Sequence, residues 1–165
     1  MIKYAKVVNQ EIGLCEVGLG TNAEFYQSIG MSEMYVKQSD IDNQWYLSEL
    51  CPMKTDEQKE LEERERIAKL YLTGADVERG IYQVKGIDFD DIVAIVTQLQ
   101  PEGLDIKALK IELKANHFYR GNPYVNAVGG LLGFTSEQLD KFFETNDYTV
   151  LLPVEVEDDN TNNLS

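Results

Sequence analysis

Apolar and polar positions change rhythm along the chain, and each change predicts a different kind of element. Up to Leu47 the apolar residues come in short runs of strand composition. Tyr4 to Val8 is rich in β-formers, and Asn9-Gln10-Glu11-Ile12-Gly13 reads as a hairpin connection. Leu14 to Leu19 then sets Leu14, Glu16 and Gly18 against Cys15, Val17 and Leu19, the period of a strand. Thr21 or Asn22 can cap a short helix over residues 23–29, and Gly30 stands where a left-handed C-terminal residue is wanted. This helix is expected to lie across the sheet. A second hairpin pairs Met34-Tyr35-Val36-Lys37 with Trp45-Tyr46-Leu47 around the turn Asp40-Ile41-Asp42-Asn43-Gln44.

Between Met53 and Thr73 the alternation gives way to charged helix formers. Glu60 with Arg64, Glu62 with Arg66, and Glu65 with Lys69 fall at i,i+4 with the acid first, the favourable order, each pair contributing ~0.3 kcal/mol. The only apolar stripe is Ile67, Leu70 and Tyr71, so the first half reads as a solvated connector.

From about residue 75 the period becomes helical. Val77, Ile81 and Val84 share one face of a helix that stops at Gly86, and Asp88 caps a second helix over 89–96. Asp105 caps a third, with Ile106, Leu109 and Leu113 inward, which Gly121 and Pro123 are expected to end. Val125, Val128, Leu131 and Leu132 supply the apolar side of a fourth helix, whose Gly129-Gly130 pair permits close backbone approach at roughly 1 kcal/mol per glycine. Gly133 ends it. Thr135 with Gln138 forms a capping box for a last helix burying Leu139, Phe142 and Phe143. Tyr148 to Leu152 could add a short strand, and Glu155 to Ser165, acidic with almost nothing apolar, reads as disordered. The expected class is α+β, divided as a β-rich head (1–52), a charged connector helix (53–73), a helical module (74–145) and an acidic tail (146–165).

With 43% apolar residues in 165, the chain can bury a core, and its net charge of -14 disfavours nucleic acid, anionic lipid surfaces and acidic partners. No apolar run reaches the roughly 18–20 residues a membrane helix needs, and the N-terminal residues lack a signal-peptide block, so the protein is expected to stay in the cytoplasm where it is made. Cys15 and Cys51 lack CxxC spacing and read as reduced thiols packed as small apolar groups.

Candidate chemistry alters the picture little. The Asp40-to-Asn43 segment invites a calcium loop, but Trp45 stands where Gly is required and no bidentate Glu follows, so turn chemistry is preferred. Asp88, Asp90 and Asp91 read as helix-start residues rather than metal ligands. His117, the single histidine, lies near no nucleophile motif, and Gly18-Leu19-Gly20 lacks the third glycine of a dinucleotide loop. Val125 to Phe143 has the outline of a helix-turn-helix, but its second helix would present Glu137, Asp140 and Glu144 to a phosphate groove. No enzymatic activity, cofactor or metal is expected. Tyr119 and Arg120, beside the Gly121-Asn122-Pro123 corner, are either a contact site or a tie holding a helix end.

Particular stretches carry a resemblance. Residues 3–9, Gly18-Leu19-Gly20-Thr21-Asn22, Tyr26, residues 29–34, and Trp45-Tyr46-Leu47 before Pro52 resemble the small β head of phage and prophage tail-region proteins encoded near tail-fibre genes. Phe118 to Pro123, Val125-Asn126, Leu132 to Thr135 and Gln138-Leu139-Asp140 are similar to the helical half of the same group. The resemblance spans most of residues 1–145. It implies a non-enzymatic tail-associated structural or assembly protein, in the host bacterial cytoplasm during assembly, with its retention on the virion tail left open, whose partner is a tail-fibre or baseplate protein. Trp45, Tyr119 and Arg120 are the candidate partner contacts. The alternative is a phage-encoded acidic inhibitor of a host defence protein, mimicking nucleic acid through its excess negative charge.

Overall fold

A computed structural model describes residues 1–154 and divides the chain into two compact units, Met1–Leu61 and the residues from Glu62 onward. The division falls inside the charged helix. The chain is α+β, with the antiparallel strands of its first unit followed by helices.

In the first unit β1 (Ile2–Asn9), β2 (Leu14–Val17), β3 (Ser32–Gln38) and β4 (Trp45–Leu47) close into a barrel in the order β1-β2-β4-β3, every pairing antiparallel. The two expected hairpins are therefore not side by side but joined at both edges, through Ile2↔Tyr35 to Ala5↔Ser32 and through Leu14↔Tyr46 and Cys15↔Trp45. So narrow a ring has room for little: its buried centre is Ala5, Cys15 and Val36, with Val7, Val17, Met34, Trp45 and Leu47 packed around it. Gly13 closes the β1–β2 turn at φ +71°, where a side chain would be strained. Helix α1 (Ala23–Ser28) is capped by Asn22, whose side chain accepts from the Phe25 N–H, and Tyr26 stacks on Tyr4 of β1 at 5.9 Å. That contact places α1 against the barrel wall.

Helix α2 (Asp56–Ala68) buries no residue and is shorter than its charge pattern suggested. It stops at Ala68 because the chain turns extended: Tyr71–Thr73 is a strand, β5, rather than the helix's last apolar turn. Arg66, expected to serve Glu62, reaches Glu63 at 2.6 Å and Glu144 at 2.8 Å.

The second unit holds α3 (Gly74–Lys85), α4 (Phe89–Leu99), α5 (Ile106–Glu112), β6 (His117–Tyr119), α6 (Pro123–Leu131) and α7 (Ser136–Thr145). Each helix start follows from a capping side chain: Thr73, Asp88, Asp105, Asn122 and Thr135 all accept from backbone N–H groups in the first turn, with full capping boxes at Asp88/Asp91 and Thr135/Gln138. Ile81, Ile92, Val96, Leu109, Phe118, Leu139, Phe142, Phe143 and Leu151 meet in one core. Gly80 lets α3 approach Phe142: a Cβ there would sit 2.5 Å from the ring.

Three expectations fail in this unit. Helix α5 ends at Glu112, so Gly121 and Pro123 do not end it; between them lies β6, and Asn122 with Pro123 instead begins α6. Of the glycine pair only Gly129 makes a close approach, a Cβ there meeting Leu139 at 2.7 Å, whereas Gly130 faces open space. Residues Tyr148–Leu151 form a 3-10 turn, not a strand, and Leu151 is buried in the core, so the fold extends past residue 146. The expectation of disorder over Glu155 to Ser165 lies outside the described residues.

Candidate functional site

Strands β5 and β6 pair as a two-stranded ribbon with Tyr71 opposite Tyr119, Leu72 opposite Phe118 and Thr73 opposite His117. Because successive side chains point to opposite faces, Leu72 and Phe118 enter the core, where Phe118 meets Phe89 edge-on at 5.7 Å. The other face is left with Tyr71, His117 and Tyr119. Tyr71 and Tyr119 are 57% and 55% exposed, their rings 5.8 Å apart and tilted by 50°, and the His117 ring meets Tyr71 edge-on at 5.3 Å. Three exposed rings thus share contacts with one another.

Arg120 fixes the ribbon's position. Its backbone N–H donates to the Leu70 carbonyl at 2.8 Å, and its guanidinium, 5% exposed as a residue, donates in three directions. Nε reaches Asp140 Oδ1 at 2.6 Å, Nη1 reaches Asn126 Oδ1 at 2.7 Å, and Nη2 reaches the Ser136 hydroxyl at 2.8 Å and its carbonyl at 3.2 Å. One cation therefore ties the end of β6 to α6 and to the first two turns of α7. The turn after it is equally constrained. Gly121 donates to the Ala68 carbonyl at 3.1 Å, and a Cβ there would sit 3.0 Å from Ala68 Cβ and O. Asn122 caps α6 while its amide donates to Glu112 Oε2 at 2.8 Å.

The three candidate contacts consequently part company. Tyr119 is exposed and belongs to the aromatic face. Arg120 is not a free contact: its guanidinium donates inside the fold, to Asp140, Asn126 and Ser136. Trp45 lies in the other unit, half-buried in β4, with Lys3 Nζ 5.1 Å from its ring centroid, so its own chain covers part of it. Sequence reasoning missed Tyr71 and His117 as companions of Tyr119. The available signal was the alternation Tyr71-Leu72-Thr73 against His117-Phe118-Tyr119, hidden because each triplet is only three residues long and lies in a stretch whose apolar residues also fit a helix or a helix end.

The polar features of the first unit are used locally. Asp42 accepts from the Gln44 N–H at 2.9 Å and from the Tyr46 hydroxyl at 2.7 Å. The Tyr46 hydrogen bond holds the Asp42 carboxyl below its usual range, and Asp42 in turn holds the phenol above its own. The turn needs this carboxylate for itself. Burial raises the thiols of Cys15 and Cys51, both free, so they are thiols rather than thiolate nucleophiles at neutral pH. Gly18 and Gly20 flank a loop propped by Tyr26: a Cβ on Gly18 would lie 2.6 Å from the ring, and the hydroxyl accepts from the Gly20 N–H at 2.6 Å. Leu19 at its tip is 89% exposed.

Among the described residues no three His, Cys, Asp or Glu side chains come together as a metal site, and no helix is long and apolar enough to cross a membrane. No family model matches the chain, and no curated protein or solved structure matches it.

Proposed function

We propose that the chain is a non-enzymatic phage tail-associated protein, structural or assembly-directed, that works through protein–protein contacts with a tail-fibre or baseplate protein. The observation that supports a contact role is the exposed face of Tyr71, His117 and Tyr119 on a ribbon pinned by Arg120. Rigid aromatic side chains supply large contact area at small entropic cost, which is why they dominate binding surfaces. The tail itself comes from the resemblance carried by Gly18 to Asn22 and by Phe118 to Pro123.

Co-expression of the full chain with the tail-fibre and baseplate proteins encoded beside it, followed by affinity capture, tests this reading. A tail protein should be retained by the unmodified chain and retained at least about 10-fold less by Tyr71→Ser/Tyr119→Ser, as loss of central aromatic anchors does. If the unmodified chain retains no tail protein, the proposal falls.

A further inference from the structure

The groups that Arg120 draws together also line a concavity. A pocket of about 340 Å³ opens among the last two turns of α2, the corner after β6, α6 and α7, with Ile67, Ala68, Arg120, Asn126, Ser136 and Asp140 on its walls. All of them belong to the second unit. The volume falls in the small-molecule range of roughly 300–1,000 Å³, where a few convergent polar groups beside apolar surface orient a ligand. These polar groups are only partly consumed by one another. Of the five N–H bonds of a guanidinium, buried Arg120 commits Nε to Asp140, one on Nη1 to Asn126, and those on Nη2 to the Ser136 hydroxyl and carbonyl. One N–H on Nη1 is left without an acceptor among the described residues. The Asn126 amide accepts through Oδ1 and leaves its Nδ2 donors unused, and the Ser136 hydroxyl accepts while its own proton is uncommitted. Asp140 binds through Oδ1 alone, so Oδ2 has no donor there.

We propose that this pocket binds a free α-amino acid with an aliphatic side chain, taken up as the zwitterion. Its carboxylate accepts from Arg120 Nη1, Asn126 Nδ2 and the Ser136 hydroxyl, and its ammonium donates to Asp140 Oδ2. The hydrocarbon side chain lies against Ile67 and Ala68. Charge selects this class of ligand. Arg64 also lines the pocket, so two guanidinium groups stand with one carboxylate, a balance that suits a single added carboxylate. A phosphate or a dicarboxylate would set a second negative charge near Asp140 and would approach against a net charge of -14. A zwitterion has no net charge, so that field does not oppose it, and its ammonium answers the one carboxylate oxygen that the fold leaves unpaired. The site shares no residue with the Tyr71, His117 and Tyr119 face and does not depend on the tail reading.

Titration of the isotope-labelled full chain with leucine, followed by NMR amide shifts, provides the test. Leucine should give saturable shifts at Gly121, Asn126 and Ser136 by about 10 mM. Isoamylamine, which lacks the carboxylate, and isocaproate, which lacks the ammonium, should each bind at least about 10-fold more weakly, the scale of one charge-assisted hydrogen bond. Asp140→Asn keeps an oxygen for Arg120 Nε but removes the charge, so leucine should bind it about 10-fold more weakly while isocaproate binds it more tightly than it binds the unmodified chain. A carboxylate that only braced the fold would not change that preference. Absence of saturable shifts with leucine, equal binding of all three ligands, or a folded Asp140→Asn chain that binds leucine unchanged would overturn the proposal. If that variant does not fold, the three ligands on the unmodified chain decide the matter alone.

Discussion

Arg120 shows how one residue type can read as a contact and serve as a cross-link. Its guanidinium holds Asp140, Asn126 and Ser136 at once, and removing it leaves those acceptors facing a void. Arg120→Ala should lower unfolding free energy by about 2–4 kcal/mol in urea titration, and Arg120→Lys should recover only part, since an ammonium cannot span three acceptors. Local charge also sets pH behaviour at Asp42 and Tyr46. The folded carboxyl lies below its unfolded value, so its support is present above the ordinary carboxylate range and lost as pH falls through the depressed value. The folded phenol lies above its unfolded value, so its support is present below the ordinary tyrosine range and lost as pH rises through the raised value. Stability of the barrel should therefore hold a plateau between about pH 4 and 10 from this pair, and Tyr46→Phe should flatten both flanks in urea midpoints followed by Trp45 fluorescence.

At the scale of elements, what could be read from sequence was whatever one side chain decides locally. Asp88, Asp105, Thr135 and Gly86 mark helix ends because a cap or a left-handed residue acts on its own turn, and all four stand where expected. The β5–β6 ribbon was hidden because its partners are some 45 residues apart and three residues long; neither strand is stable alone, so only the completed core shows them. For the same reason the candidate site was half visible, as Tyr119 without Tyr71 or His117. Glycine roles divide along that line too. Gly130→Ala, with nothing within 4 Å, should stabilise α6 by about 0.5–1 kcal/mol, whereas Gly80→Ala, pressing on Phe142, should cost about 1–3 kcal/mol. Opposite shifts in melting temperature would confirm the division; equal ones would contradict it.

For the whole molecule, two cores of unequal size imply two stabilities. The barrel centre consists of Ala5, Cys15 and Val36, while the helical unit buries residues from Leu72 to Leu151 around four phenylalanines. Burial stabilises roughly in proportion to apolar area, so the barrel should unfold first. The single tryptophan, Trp45, reports the barrel, and helical ellipticity reports mainly the second unit; the fluorescence midpoint in urea should come at lower concentration than the ellipticity midpoint. Coincident midpoints would show a single cooperative unit instead. Such early opening would matter most in a crowded cell, because of what ring closure does while it lasts. With β1 joined to both β2 and β3, and β4 likewise to β2 and β3, no row of strand amides and carbonyls is left for another copy to extend. The first unit thus has no template for fibre growth while folded, and its resistance to aggregation should be only as durable as the four pairings that close it.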